Sequence, residues 1–322
     1  MTSSKILVTG ANGQLGHALR LAVDAWKPAD ADVVFTTRAD MDLADAASVR
    51  ACVESIAPRL IINAAAYTAV DRAETDADAA MAVNAQAPRV MSEFLARTGG
   101  AMVHVSTDYV FDGAASRPYD ETAATNPLNV YGRTKLAGEN AVRASGAAHW
   151  ILRTSWVYST SGANFLKTII RLAETRDAIS VVADQHGAPT SAKRLARFIA
   201  EMLGSSPGNA SRQSPSTTVA AMIARVAASA GTYHSTASGA TTWYAYATHI
   251  IEGLHDRKPD GWKLASHAIR ETTTADYPTP ARRPLYSLLD HERFTATFGI
   301  VPPPWQHDVD GCLDELFGRI DR

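Results

Sequence analysis

Short apolar runs alternate with amphipathic stretches over the first 155 residues. Lys5 to Thr9, Val33 to Phe35, Leu60 to Asn63, Ala101 to Ser106 and His149 to Arg153 are too short for helices, and polar or glycine-containing turns bound them. They read as strands buried on both faces. Between them, apolar positions recur at helical spacing through Leu19 and Val23 to Trp26, from Ser48 to Ile56, from about Asp76 to Arg97, and from Tyr131 onward. Such alternation predicts an α/β fold with a doubly wound parallel sheet of Rossmann type.

Beyond residue 155 the pattern is more mixed. An amphipathic helix is expected from Asn164 to about Thr175, a short strand at Ser180 to Val182, and a helix capped by Ser191 that runs to Leu203. A helix from Val219 to Ala230, a returning strand Gly231 to His234, a helix around Thr242 to Gly253 and a terminal helix from Asp308 follow. The predicted organisation is a nucleotide-binding domain of residues 1–155 plus about 180–235. A smaller mixed α/β substrate domain then comprises about 156–179 plus 236–322. Gly204 to Thr218, rich in Ser, Pro, Gly and Asn, reads as an exposed, mobile loop.

Composition excludes several function classes. With 322 residues and 46% hydrophobic content the chain buries a large core. Its net charge of −2 gives no general attraction to nucleic acid or acidic membranes. No run approaches a membrane span, and Ile6-Leu7-Val8 is too short for a signal-peptide core. Cys52 and Cys312 are isolated, so neither a disulfide framework nor a zinc site is expected, and the cytoplasm is the expected location.

The first strand runs into Gly10-Ala11-Asn12-Gly13-Gln14-Leu15-Gly16 and then a helix. Strand, glycine turn and helix form a phosphate-binding start for a dinucleotide: Gly10, Gly13 and Gly16 let the backbone close on a pyrophosphate at a helix N-terminus. The second strand ends in Thr36-Thr37-Arg38. A carboxylate there would hold a ribose 2′-hydroxyl, whereas Arg38 suits a 2′-phosphate, so NADPH is expected over NADH. The chain then passes the adenine at Asp42-Leu43, and Ala64-Ala65-Ala66-Tyr67 lets backbone lie against the cofactor. Asn84 is read as a structural tie between neighbouring strands.

The fourth strand leads to Thr107, whose hydroxyl is placed at the ligand-bearing edge of the sheet. Tyr131 and Lys135 lie four residues apart, on one helix face. An ammonium beside a phenol favours the phenolate, so the spacing predicts a phenol pKa lowered toward neutrality. A phenol, an ammonium and a hydroxyl beside a nicotinamide suit hydride transfer to a carbonyl, with Tyr131 as proton donor.

These residues, in this order, resemble an extended short-chain dehydrogenase/reductase. Ser106-Thr107-Asp108-Tyr109-Val110-Phe111-Asp112-Gly113, Asn129 to Glu139, Arg153 to Tyr158, Asp184 to Thr190 and Tyr277-Pro278-Thr279-Pro280 narrow the likeness to the dTDP-4-dehydrorhamnose reductase family. The resemblance implies NADPH-dependent reduction of the C4 keto group of dTDP-4-dehydro-L-rhamnose, for cell-surface polysaccharide, and leaves NADH open as an alternative. It implies catalytic roles for Tyr131, Lys135 and Thr107. Gly13, Gln14, Leu15, Asp42, Leu43, Ala65, Ala66 and Tyr67 fall on cofactor positions, and Thr107, Asp108 and Trp156 on substrate positions. An indole can pack on a sugar face, and Arg283 is a candidate for the nucleotide diphosphate. Some relatives dimerise through magnesium. Ala18 stands where one of their glutamates would, so no metal is expected, and a homodimer stays open. Tyr286 stands where the family carries Asn. The partner is a small nucleotide sugar. Alternatives are a nucleotide-sugar epimerase, or an NADP-binding regulatory subunit like that of methionine adenosyltransferase.

Overall fold

The computed structural model describes residues 3–204, 218–258 and 260–318. Six strands form the central sheet: β1 (Ser4–Thr9), β2 (Ala31–Thr36), β3 (Leu60–Asn63), β4 (Ala101–Thr107), β5 (Ala148–Thr154) and β6 (Gly231–His234). Their order is β2-β1-β3-β4-β5-β6, and every neighbouring pair is parallel. The order reverses direction between β1 and β3, which opens a crevice at the carboxyl ends of the strands.

Alternation within each strand sends side chains to two separate layers. Ile6, Val8, Ile62, Val103, Trp150 and Leu152 pack on one face, against Leu15 and Leu19 of the first helix and Leu195, Phe198 and Ile199 of the helix Ala192–Met202. Leu7, Ile61, Met102 and Ile151 pack on the other, against Val49, Val53, Met91, Leu95 and Val142. A third apolar cluster lies apart from the sheet. It joins Leu166 and Ile169 of the helix Phe165–Thr175 to Tyr246, Ile250 and Leu254 of the helix Trp243–Arg257, and to Trp305 and Val309.

Helix starts follow the side-chain caps that the sequence offers. Asn129, Asn164, Ser191 and Thr242 each accept a backbone N–H three residues on, at 2.8, 3.0, 3.0 and 3.1 Å.

Four expectations change. Ile179–Val182 pairs with Ile269–Thr272 and packs in the third cluster, whereas the sequence grouped residues from about 180 with the nucleotide-binding part. The helix begun by Thr242 continues to Arg257, beyond Gly253, because Arg257 is bonded to Asp314 at 2.6 Å. The last helix starts at Trp305 rather than Asp308, with the buried Trp305 ring in the third cluster. The helix expected from Asp76 to Arg97 is interrupted by a π turn, Ala82–Gln86, between Ala77–Met81 and Ala87–Thr98. Pro88 causes this, since it has no N–H for the Asn84 carbonyl and its ring would strike it. The loop expected at Gly204 to Thr218 lies largely outside the described residues. Among those described, no helix is long and apolar enough to cross a membrane.

Candidate active site

The carboxyl ends of β1, β3 and β4 are tied together by neutral groups. The Thr9 hydroxyl donates to Asn63 Oδ1 at 2.7 Å and accepts from the Ala65 N–H at 3.2 Å. Asn63 Nδ2 meets His104 Nδ1 at 3.0 Å. Burial holds the His104 pKa well below its ordinary value, so the ring stays neutral.

Against this frame the glycine turn is tight. Gly10 has φ +72°, and a Cβ there would sit 2.9 Å from the Ala65 Cα. A Cβ on Gly16 would lie 2.1 Å from the Gly10 carbonyl oxygen. The first helix, Gln14–Leu21, starts at Gly13 without a side-chain cap, leaving its N–H groups for a ligand. Gly16→Ala is therefore expected to lose NADPH binding and to melt at lower temperature. Such overpacking costs about 1–3 kcal/mol. A titration and a thermal scan check both, and wild-type affinity in the variant would show that the turn is not the cofactor's cradle.

Next to the turn lies a cleft of about 370 Å³. Gly10, Arg38, Asp42, Leu43, Ala65, Ala66 and Tyr67 line it, seven of the residues expected to meet the cofactor. Met41, Ala79 and Val83 give it apolar walls, and Thr36 and Thr37 a polar rim at the end of β2. No carboxylate ends β2, whose last residues are Phe35 and Thr36. Glycines, open helix N-terminus, apolar walls and cations fit a phosphorylated dinucleotide. Gln14, Leu15 and Gly16 are outside the cleft lining. Leu15 is buried in the core, and Gln14 Oε1 accepts from Ser159 and Asn164, at 3.1 and 2.9 Å.

Asn84 links the cofactor wall to the next helix, not strand to strand as expected. Its side chain accepts from the Tyr67 N–H (2.8 Å) and donates to the Tyr67 carbonyl (3.2 Å) and Thr134 (3.0 Å). Thr134 lies in the helix Val130–Ala144, which carries Tyr131 and Lys135. Gly132 and Gly138 let that helix approach: a Cβ on either would lie 2.2 Å from the Tyr109 carbonyl oxygen or 2.0 Å from that of Asn84. Asn129 does more than cap the helix, because its Nδ2 also donates to the Arg282 carbonyl at 2.8 Å.

Tyr131, Lys135, Thr107 and Asp108 come together where β4 ends. The expected downward shift of the phenol does not hold in this state. Burial pushes Tyr131 up to about 12, while the Thr107 hydroxyl pulls against the shift. Lys135 Nζ donates to the Val105 carbonyl at 2.7 Å. Burial depresses Lys135 to about 8, against an upward pull from Glu139. Spacing on a helix face gives neighbourhood but not desolvation, and here desolvation is the larger effect. Thr107 donates to Asp108 Oδ1 at 3.0 Å, and Asp108 Oδ2 is buried without a hydrogen-bond partner. Burial raises Asp108 to about 7, with Ser287 and Thr107 opposing.

Glu139, one helical turn beyond Lys135, was not singled out in the sequence. It is fully buried and accepts from Ser106 (2.6 Å), Arg153 (2.9 and 2.8 Å) and Arg143 (2.6 Å). Burial pushes its carboxyl up, but Arg153, Ser106 and Arg143 outweigh that and hold it below the usual range. The signal in the sequence was its place on the Tyr131–Lys135 face, which means little until β5 supplies Arg153.

Trp156 lies just beyond β5, whose Thr154 pairs with Thr107, and the Arg283 charge acts on Tyr109, the ring that meets Tyr131. Trp156 has a left-handed backbone, φ +46°, and its indole stacks on Trp243 with centroids 3.6 Å apart. Arg283 forms a two-pronged ion pair with Asp71, at 2.5 and 2.8 Å. Among the described residues no group of three His, Cys, Asp or Glu is placed to hold a metal ion.

Comparison with known proteins follows the same lines. The family pattern described as the RmlD substrate binding domain matches residues 4–317. The chain is similar to the dTDP-4-dehydrorhamnose reductase of Burkholderia thailandensis, 41% identical over 317 residues, 98% of this chain and 100% of that protein. It is similar to the enzyme of the same name from Escherichia coli strain K12, 41% identical over 97% of this chain and 98% of that one. Among solved structures, the dTDP-4-dehydrorhamnose reductase of Bacillus anthracis in complex with NADP superposes with a TM-score of 0.81. It is 32% identical, covering 97% of this chain and 99% of that one.

Proposed function

The chain belongs to the RmlD substrate binding domain family, and from that membership we infer that it performs the reaction its relatives are named for. It is an oxidoreductase that uses NADPH to reduce the C4 keto group of dTDP-4-dehydro-L-rhamnose, giving dTDP-L-rhamnose, the last step of dTDP-rhamnose synthesis. The observation that carries the reading at the level of residues is the meeting of Tyr131, Lys135 and Thr107 at the end of β4, on the same sheet edge as the glycine turn and its cleft.

Bound NADPH supplies the hydride. Gly10, Gly13, Arg38, Asp42, Leu43, Ala65, Ala66 and Tyr67 would hold it. Thr107 donates a hydrogen bond to the carbonyl oxygen, fixing the carbon for attack. Tyr131, held at about 12, keeps its proton throughout the neutral range and gives it to the alkoxide as charge develops there. The phenolate left behind is costly in a buried site, and the Lys135 ammonium offsets that cost. Asp108, Trp156 and Arg283 meet the sugar and its diphosphate, with Asp71 keeping Arg283 in place. The sheet with its two layers binds cofactor, and the third cluster, with 236–318, supplies the substrate side. Cys52 and Cys312 are free thiols, which supports a reducing, cytoplasmic setting.

Incubation with NADPH and enzymatically prepared dTDP-4-dehydro-L-rhamnose is expected to consume NADPH absorbance. No consumption, with cofactor bound, sinks the assignment. Isomerisation without net redox would point to an epimerase instead.

The pH dependence has a definite sign. Lys135 is lowered to about 8, so it loses its proton as pH rises through that value and the phenolate loses its support. The rate of reduction is expected to decline above about pH 8 while Tyr131 is still protonated. A rate that stays flat to about pH 10 would remove the ammonium from the mechanism.

A further inference from the structure

Arg72 is the second guanidinium of the cofactor cleft. It stands on the one-turn helix Val70–Ala73, which follows β3, whereas Arg38 follows β2. In the sheet order, β2 and β3 lie on opposite sides of β1. The two arginines therefore approach the end of β1 from its two flanks.

Both are held in the same loose way. Arg38 Nε lies 3.6 Å from Asp42 Oδ1, and Arg72 Nε lies 3.6 Å from Asp76 Oδ2. The two side chains are 85% and 76% exposed, so neither pair contributes much. Each acid already serves another donor through the same oxygen: Asp42 takes the Ala44 N–H at 3.0 Å, and Asp76 takes the Tyr67 hydroxyl at 3.0 Å. A phosphate dianion entering the cleft outbids both carboxylates, because each can keep its second donor. The backbone under Arg72 is fixed on either side. Asp71 grips Arg283 and the Ala281 N–H, and Glu74 accepts the Val130 N–H at 2.8 Å.

Position decides which phosphate is meant. A diphosphate belongs to the glycine turn and the first helix N-terminus, and Gly13 to Gly16 are outside the cleft lining. The cleft has instead the polar end of β2, at Thr36, Thr37 and Arg38, where the adenosine ribose of a dinucleotide fold sits. We propose that Arg72 binds the 2′-phosphate of NADPH from the β3 side, opposite Arg38, so that cofactor preference rests on two arginines rather than on Arg38 alone. This rests on the reading of the cleft as the NADPH site.

The test is equilibrium titration of the purified full chain with NADPH and with NADH, followed by fluorescence and independent of turnover. Arg72→Ala is expected to weaken NADPH about tenfold and to leave NADH within about twofold. Arg72→Lys recovers part of the loss, and Arg38→Ala with Arg72→Ala abolishes the preference. Equal weakening of both cofactors overturns the proposal, since the guanidinium would then serve a shared part of the cofactor or the local fold. An unchanged NADPH affinity overturns it as well. Failure of the reductase assignment looks different: the wild type would bind NADPH in preference to NADH and leave the keto sugar unreduced.

Discussion

Tyr131→Phe is expected to lower the rate of keto-sugar reduction about a thousandfold while NADPH binding and the melting temperature stay close to wild type. The Tyr131 ring meets Tyr109 edge to face with centroids 5.8 Å apart, and Phe keeps that contact. What Phe removes is the one proton held at about 12 beside the Thr107 hydroxyl. Steady-state kinetics with saturating NADPH, beside a cofactor titration, separate the two effects. A variant that turns over within tenfold of wild type would assign proton donation elsewhere, with Asp108 the nearest candidate.

The second large effect is one of stability. Glu139→Ala deletes the acceptor for Ser106, Arg143 and Arg153 at once. Arg153 is almost fully buried, with 3% of its side chain exposed, and would keep its charge with no carboxylate beside it. Breaking a buried pair in this way costs about 3–5 kcal/mol, which lowers the melting temperature by roughly ten degrees. Activity should also respond through Lys135. Loss of the Glu139 charge removes the upward pull on the ammonium, so the alkaline decline in rate moves to lower pH. Glu139→Gln, which keeps shape and some hydrogen bonds, should fold better than Ala yet show the same shift. An unmoved pH profile in the Gln variant would limit Glu139 to a structural part.

Local chemistry made much of this site legible in the sequence. Strand, glycine turn and helix are contiguous at residues 4–21, so their roles can be read without knowing the fold. Tyr131 and Lys135 are neighbours by helix geometry alone, and Asn164 and Ser191 announce helix starts with their own side chains. The rest depends on which strands lie side by side. Glu139 becomes notable only when β5 brings Arg153 to it, and Arg72 only when β2 and β3 flank β1. The two-residue pairs Val157–Tyr158 with Thr190–Ser191, and His186–Gly187 with Thr241–Thr242, carry too little pattern to be seen in one dimension. The upward direction of the Tyr131 shift is hidden from the sequence for a similar reason. Spacing reports a neighbour's charge, while burial belongs to the assembled fold.

The π turn at Ala82–Gln86 holds one residue more than the α-helix it interrupts. In coding terms that extra residue amounts to a single codon, placed where the Asn84 side chain spans from the cofactor wall to the catalytic helix. A chain one residue shorter here, with Pro88 replaced by Ala, would run as unbroken α-helix with both flanks still facing the core. It would lose the span and keep the fold. Chain length at this one point thus sets whether the two halves of the active site are joined, independently of whether the domain assembles.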